Sequence, residues 1–286
     1  MTPIKNILVA LDLSDIDSTL IEYASFIADT LKVDKVYFVH NIKKFEISEL
    51  FEEQLKDINL DEIIGDELKE KVENKFTSSS EWEVLISEDP YSESLINYIV
   101  NKYMIQLALI GNKNRSKGTG VVSGKLLRLL KCDILSIPNN VKPDITNIWV
   151  GTDFSSASKK VFNLAENLQS LTAANVKSVH VYNVPVQFSP YIPKENLDMK
   201  IENHLKGRYE KFIKRIGYKG DLISEIIPGR DSSVAEKLRT KAEASMVDLI
   251  VVGDKGRNTF SSLLVGSVTE ELFNQDLTLP LWVVKQ

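Results

Sequence analysis

The sequence predicts an α/β fold built as two tandem, doubly wound, mostly parallel five-stranded sheets. Three observations predict it. Short runs of Val, Ile and Leu alternate with longer amphipathic segments, the pattern of strands buried on both faces and separated by helices. The chain has 286 residues, about twice the ~100–150 of one domain. And the order of motifs in the first half recurs in the second.

The repeat is legible strand by strand. Residues 6–14 read NILVALDLS and residues 147–155 read NIWVGTDFS, so each first strand ends at a carboxylate, Asp12 or Asp153. Ser14 or Asp15 is expected to cap the helix that buries Leu20, Ile21, Ala24, Ile27, Ala28 and Leu31. Ser155 or Ser156 is expected to do so ahead of Val161, Leu164, Ala165 and Leu168. The second strands, KVYFVHNI and VKSVHVYNV, carry His40 and His180. The Glu- and Lys-rich stretch from Glu46 to Phe76 predicts one or two surface helices, with a counterpart at about Lys194 to Ile216. The fourth strands, IQLALIGN and VDLIVVGD, each run into a glycine-containing loop, and DILSIP and LPLWVV close the halves. Pro138 and Pro143 flank a polar segment, which places a domain at 1–140 and another at 145–286.

Composition narrows the function. Hydrophobic residues make up 43% of the chain and charged residues 26%, with a net charge of −5, so no broad basic surface for nucleic acid is expected. Cys132 is the one cysteine and sits in an apolar stretch, where a small core residue is expected. The apolar run Ile7–Leu11 stops at Asp12, too short for a signal-peptide core, and no stretch approaches a membrane span. A cytoplasmic protein without membrane contact is the expectation. His40, His180 and His204 form no metal-ligand spacing, and backbone-satisfied histidines are expected at the first two. Trp82, Trp149 and Trp282 read as core or interface aromatics.

Open parallel sheets bind ligands beyond the carboxyl ends of their strands, where the strand order reverses. Two features of each half fall there: the aspartate ending the first strand and the loop after the fourth. In the second half that loop spaces Gly253, Gly256 and Gly266-Ser267 as glycine, two residues, glycine, nine residues, glycine, serine, and Val268 opens a helical pattern. Glycines permit positive φ and close backbone approach, and amides together with the Ser267 hydroxyl can donate to phosphate oxygens. Turn chemistry and helix–strand packing are the plain alternative for the glycines, as a helix cap is for Asp153. Lys255 and Arg257 either attract phosphate or keep the loop soluble.

With Asp153, this spacing resembles the universal stress protein family, specifically its tandem two-domain members, over nearly the whole chain. The resemblance implies an ATP site (or one for AMP or ADP) in the second domain. Its implied residues are Gly151, Asp153, Val181, Val252, Gly253, Gly256, Gly266, Ser267 and Val268. Val181 would lie near adenine, Asp153 near the ribose and, through Mg2+, near the phosphates. The resemblance further implies a stress-response or signalling module whose two domains pair through their last strands, with a homodimer and a protein partner as further expectations.

The first half departs from the pattern. Its loop keeps the spacing from Gly111 to Gly124, but Asn114 replaces the second glycine and Lys125 the serine. Gly120 to Leu126 imitates a phosphate-binding P-loop but is one residue short and lacks its Ser or Thr. A mainly structural or partner-binding role is expected for this half. Two other functions stay open: a slow ATPase, for which the sequence offers no assignable base or arginine finger, and a scaffold that carries another ligand or none.

Overall fold

The computed structural model describes residues 3–42, 59–112, 121–183, 194–229, 232–256 and 265–286; the side chains of 121–122 and 194–198 fall outside the description. The chain divides into two compact units, one of residues 2–144 and one whose body is Ile145–Gln286.

In the first unit the order is β1 (Asn6–Leu11), α1 (Ile16–Leu31), β2 (Lys35–Ile42), α2 (Leu60–Lys75), β3 (Glu81–Glu88), α3 (Ser92–Lys102), β4 (Leu107–Asn112), α4 (Val121–Leu129) and β5 (Asp133–Pro138). The strands lie side by side as β3-β2-β1-β4-β5, and each of these pairings is parallel. The second unit repeats the plan with β6 (Asn147–Gly151), α5 (Ser158–Thr172), β7 (Asn175–Tyr182), α6 (Lys194–Ile216), β8 (Leu222–Pro228), α7 (Val234–Ala244), β9 (Leu249–Gly253), α8 (Ser267–Phe273) and β10 (Leu281–Val284). Its order is β10-β9-β6-β7-β8, again parallel throughout. The chain therefore reverses direction across the sheet between β1 and β4 in one unit and between β6 and β9 in the other.

The central strands are apolar because helices cover both faces. Ile7, Leu8, Val9, Leu107, Ala108 and Leu109 are fully buried in the first unit, as are Ile148, Val150, Leu249, Ile250 and Val251 in the second. The helical spacing read in α1 and α5 buries the expected face: Leu20, Ile21, Ala24 and Ile27 in one, Val161, Leu164, Ala165 and Leu168 in the other. Cys132, Trp149 and Trp282 are buried.

Both expected helix caps need correction. Asp15 occupies the cap position of α1 but makes no side-chain cap bond. The cap residue of α5 is Ala157, not Ser155 or Ser156. The reason is the turn before each helix, which is tied by other groups. Leu13 and Phe154 both take a left-handed φ, +62° and +61°. In the first unit the Asp17 carboxylate, fully buried, accepts the Asp12 and Leu13 amides at 3.1 and 2.9 Å. In the second, the Phe154 amide donates to the Thr152 hydroxyl at 3.0 Å and the Ser155 amide to Asp153 Oδ1 at 2.9 Å. The first-turn amides of Asp17, Ser158 and Lys159 then donate to the backbone carbonyls of Ser14, Ser155 and Ser156 instead of to a cap side chain.

Candidate functional site

A cleft of about 400 Å³ opens at the carboxyl ends of β6, β7 and β9, at the reversal of strand order in the second unit. Gly151, Asp153, Val181, Val252, Gly253, Gly256, Gly266, Ser267 and Val268 all line it. The structure thus brings together residues separated by about a hundred positions of chain.

The cleft has three sectors. The first is an apolar slot walled by Val179, Val181, Val234, Leu238 and Val252, with Gly151 at its floor. A Cβ on Gly151 would meet Val252 Cγ1 at 3.0 Å, so any larger residue would narrow the slot.

The second sector is the carboxylate. Asp153 Oδ1 accepts the Ser155 amide at 2.9 Å and the Ser158 hydroxyl at 3.1 Å, which fixes the side chain's rotation. Oδ2 is then directed at the loop: a Cβ on Gly256 would lie 3.3 Å from it. His180 stands beside this group, its Nδ1 2.7 Å from the Thr152 carbonyl oxygen. A carbonyl only accepts, so Nδ1 carries the proton. Phe154 stacks on the imidazole, ring centres 4.3 Å apart, and Arg208 lies over the other ring partner, its Cζ 5.5 Å from the Phe154 centroid.

The third sector is the glycine loop. Its ends are drawn together by the Gly266 amide, which donates to the Asp254 carbonyl at 2.7 Å. The Thr269 hydroxyl donates to the Gly253 carbonyl at 2.6 Å. A Cβ on Gly266 would come 3.4 Å from the Gly256 nitrogen. Beneath the loop, Asp254 is buried, 3.7 Å from the Lys285 ammonium. Burial raises its pKa above the usual carboxylate value, with Lys285 and Lys255 pulling the other way. Lys255 lines the cleft; Arg257 lies outside the described residues.

Sequence reading missed Thr152, Ser158, Val179, Val234, Leu238, Thr269 and Arg208, all of which line the cleft. The helix and strand positions among them carry no motif; only the fold places them. His180 is both backbone-satisfied, as expected, and a wall of the cleft, which was not. His204 is exposed on α6. Among the described residues no group of three His, Cys, Asp or Glu side chains is placed to hold a metal ion.

The residues at the equivalent place in the first unit differ. Equivalent register within each sheet makes Ala10 the counterpart of Gly151 and Asn41 that of Val181, and the loop spacing makes Lys125 that of Ser267. Ile16 replaces Ala157 and is buried; its Cδ1 lies 2.9 Å from where a Cβ of Gly111 would stand. Asn41 is polar where the slot needs an apolar wall, and its amide group donates to the Asp89 carbonyl and the Ser92 hydroxyl at 2.8 and 2.9 Å. Lys125 pairs with Glu93 of α3. Asn114 lies outside the described residues.

The universal stress protein family matches residues 145–285. The second unit belongs to this family. Known structures of the same fold extend the likeness in fold to both units. A universal stress protein from Archaeoglobus fulgidus is 16% identical, with a TM-score of 0.66 over 98% of this chain and 96% of its own. A protein of unknown function from Pseudomonas aeruginosa is also 16% identical, with a TM-score of 0.67 over 99% and 92%. At that identity the likeness is one of fold. No curated protein matches at the level of sequence. Among the described residues, no helix is long and apolar enough to cross a membrane.

Proposed function

We propose that this universal stress protein binds one adenine nucleotide, in the second unit, and serves as a stress-response or signalling module whose nucleotide state is read by a partner. The observation that carries this reading is the direction of Asp153: Oδ2 points at Gly256, across from the glycine loop. One carboxylate and the two described ends of the glycine loop, Gly256 and Gly266–Ser267, then line one cleft beside an apolar slot. A base fits the slot, ribose hydroxyls can donate to Asp153, and phosphates can accept from loop amides and Ser267.

Mg2+ suits this arrangement in one way. Among the described residues Asp153 is the single carboxylate lining the cleft, too few protein ligands for a dedicated cage, but one carboxylate plus phosphate oxygens is the usual way Mg2+ is held beside a nucleotide. The first unit takes a structural or partner-binding role, since Asn41 and Lys125 stand where the second unit has Val181 and Ser267, and both are engaged within their own unit.

The test is equilibrium dialysis with ATP, parent against Gly266→Glu. The new side chain would enter beside the Gly256 amide and place a carboxylate where phosphate belongs. Retention by the parent and loss in the variant, with unchanged circular dichroism, supports the reading. Equal retention by both removes this site.

A further inference from the structure

We propose that nucleotide binding in the cleft takes up a proton at Asp254, whose buried pair with Lys285 is the positioning group beneath the glycine loop; this rests on the nucleotide reading above. The backbone of Asp254 ties the start of the loop to β10 and to the loop's far end. Its amide donates to the Val284 carbonyl at 2.9 Å, and its carbonyl accepts the Gly266 amide at 2.7 Å. Its chain neighbours Gly253 and Lys255 line the cleft. The side chain itself is buried with that of Lys285, each 8% exposed. The same C-terminal segment is tied to the turn that carries Asp153. The Lys160 ammonium donates to the Lys285 carbonyl at 3.3 Å, and the Gln286 side-chain amide donates to the Ala157 carbonyl at 2.6 Å. One segment therefore joins the two polar sectors of the cleft.

The charged pair is a poor device for stability. Asp254 Oδ2 stands 3.7 Å from the Lys285 ammonium, beyond hydrogen-bond reach. Oδ1 is buried and accepts no hydrogen bond among the described residues. A buried carboxylate left partly unsatisfied disfavours its own charge and contributes little to the folded state. At the same register the first unit has the neutral residues Asn112 and Pro138. The fold thus closes this strand pair without charges, and the charges occur in the unit whose glycine spacing is intact.

The charges that face the carboxylate are Lys285 after β10, Lys255 in the loop and Lys160 of α5. Burial is the largest influence on it and raises its pKa, while these cations and a hydrogen bond with the Gln286 backbone lower it. Asp254 directly follows Gly253 and precedes Gly256 by two residues, so its Cα lies at most about 8 Å from theirs. Phosphates held by the loop would bring negative charge close to a buried carboxylate, where water screens little. Binding then favours the protonated form. By linkage, a proton on Asp254 strengthens phosphate binding by the same factor.

The experiment measures ATP dissociation constants of the full chain by calorimetry between about pH 7.5 and about pH 4.5, in buffers of low and high ionisation heat. It compares the parent with Asp254→Asn and Lys285→Met, with thermal melts as a check on folding. Ionisation of ATP and of His180 is common to all three proteins, so differences from the parent report Asp254. At neutral pH Asp254→Asn, which mimics the protonated acid, is expected to bind ATP about threefold more tightly than the parent, and the gap closes as pH falls through the folded pKa of Asp254. The parent is expected to take up more protons per ATP than this variant. Lys285→Met removes the cation paired with Asp254 and is expected to move the parent's pH profile to higher pH. Parallel profiles and equal proton uptake in the parent and Asp254→Asn would leave Asp254 a purely structural role and overturn the proposal. Should Asp254→Asn not fold, a Lys285→Met profile that coincides with the parent's overturns it equally. A parent that binds no ATP over this range overturns the nucleotide reading itself, and the proton link with it.

Discussion

At the scale of single residues, the glycines of the second loop are required by proximity, not by backbone conformation. Among the described glycines only Gly217 has a left-handed φ. A Cβ would crowd the Lys255 carbonyl at Gly253 and the Asp153 carboxylate at Gly256, each at 3.3 Å, while at Gly266 it would make ordinary contact with the Gly256 nitrogen. The sequence spacing allowed two reasons for these glycines, and close approach applies at Gly253 and Gly256. Asp254, between Gly253 and Gly256, is a second residue whose environment has a measurable consequence. Burial holds its folded pKa above the 3.8 of an ordinary aspartate. The folded state therefore takes up this proton more readily than the unfolded state, so the group's cost at neutral pH is relieved as pH falls through the folded pKa, and no further gain follows below the unfolded value. Asp254→Asn, the residue found as Asn112 in the first unit, removes that gain. Melting temperatures of parent and variant should converge or shift in the parent's favour between about pH 7 and about pH 4; a difference that stays constant over that range contradicts the assignment.

At the scale of elements, the two units solve the same turn with different chemistry. β1 hands over to α1 through the Asp17 carboxylate, which also lies 3.6 Å from the Lys71 ammonium. β6 hands over to α5 through Thr152, Ser158 and Asp153 itself. In the second unit the strand-end carboxylate is thereby oriented toward the loop. α3 and α4 show a matched replacement of the same kind. Lys125 stands where the second unit has Ser267, and its partner Glu93, only 14% exposed, stands where the second unit has Ala235. Lys125→Ser alone leaves a partly buried carboxylate without its cation and should cost about 1 kcal/mol. The double variant with Glu93→Ala should recover much of that loss, a coupling visible in urea melts as a non-additive cycle. Strictly additive losses would mean that the pair contributes nothing as a pair.

At the scale of the whole molecule, duplication is what made the chain readable. NILVALDLS and NIWVGTDFS fixed the two first strands, and the paired apolar runs fixed strand order well enough to place Asp153 opposite the Gly253–Ser267 segment. The cap positions were misjudged because Asp17 reaches back and Thr152 forward into the turn, a detail that propensity does not carry. Arg208 was invisible for a different reason. The stretch linking β2 to α2 and the one linking β7 to α6 differ in sequence, so Leu68 and Arg208 align only once β3 and β8 have been placed in register. The replacements Ile16 and Asn41 were equally hidden, since neither residue belongs to the loop whose Asn114 and Lys125 drew attention.

The two units are thus predicted to be unequal in what they bind, and the stoichiometry of ATP in a calorimetric titration of the full chain decides it. One nucleotide per chain, abolished by Gly266→Glu and untouched by Lys125→Ser, is the expected result. Two per chain, or one that survives Gly266→Glu, would contradict a single site in the second unit.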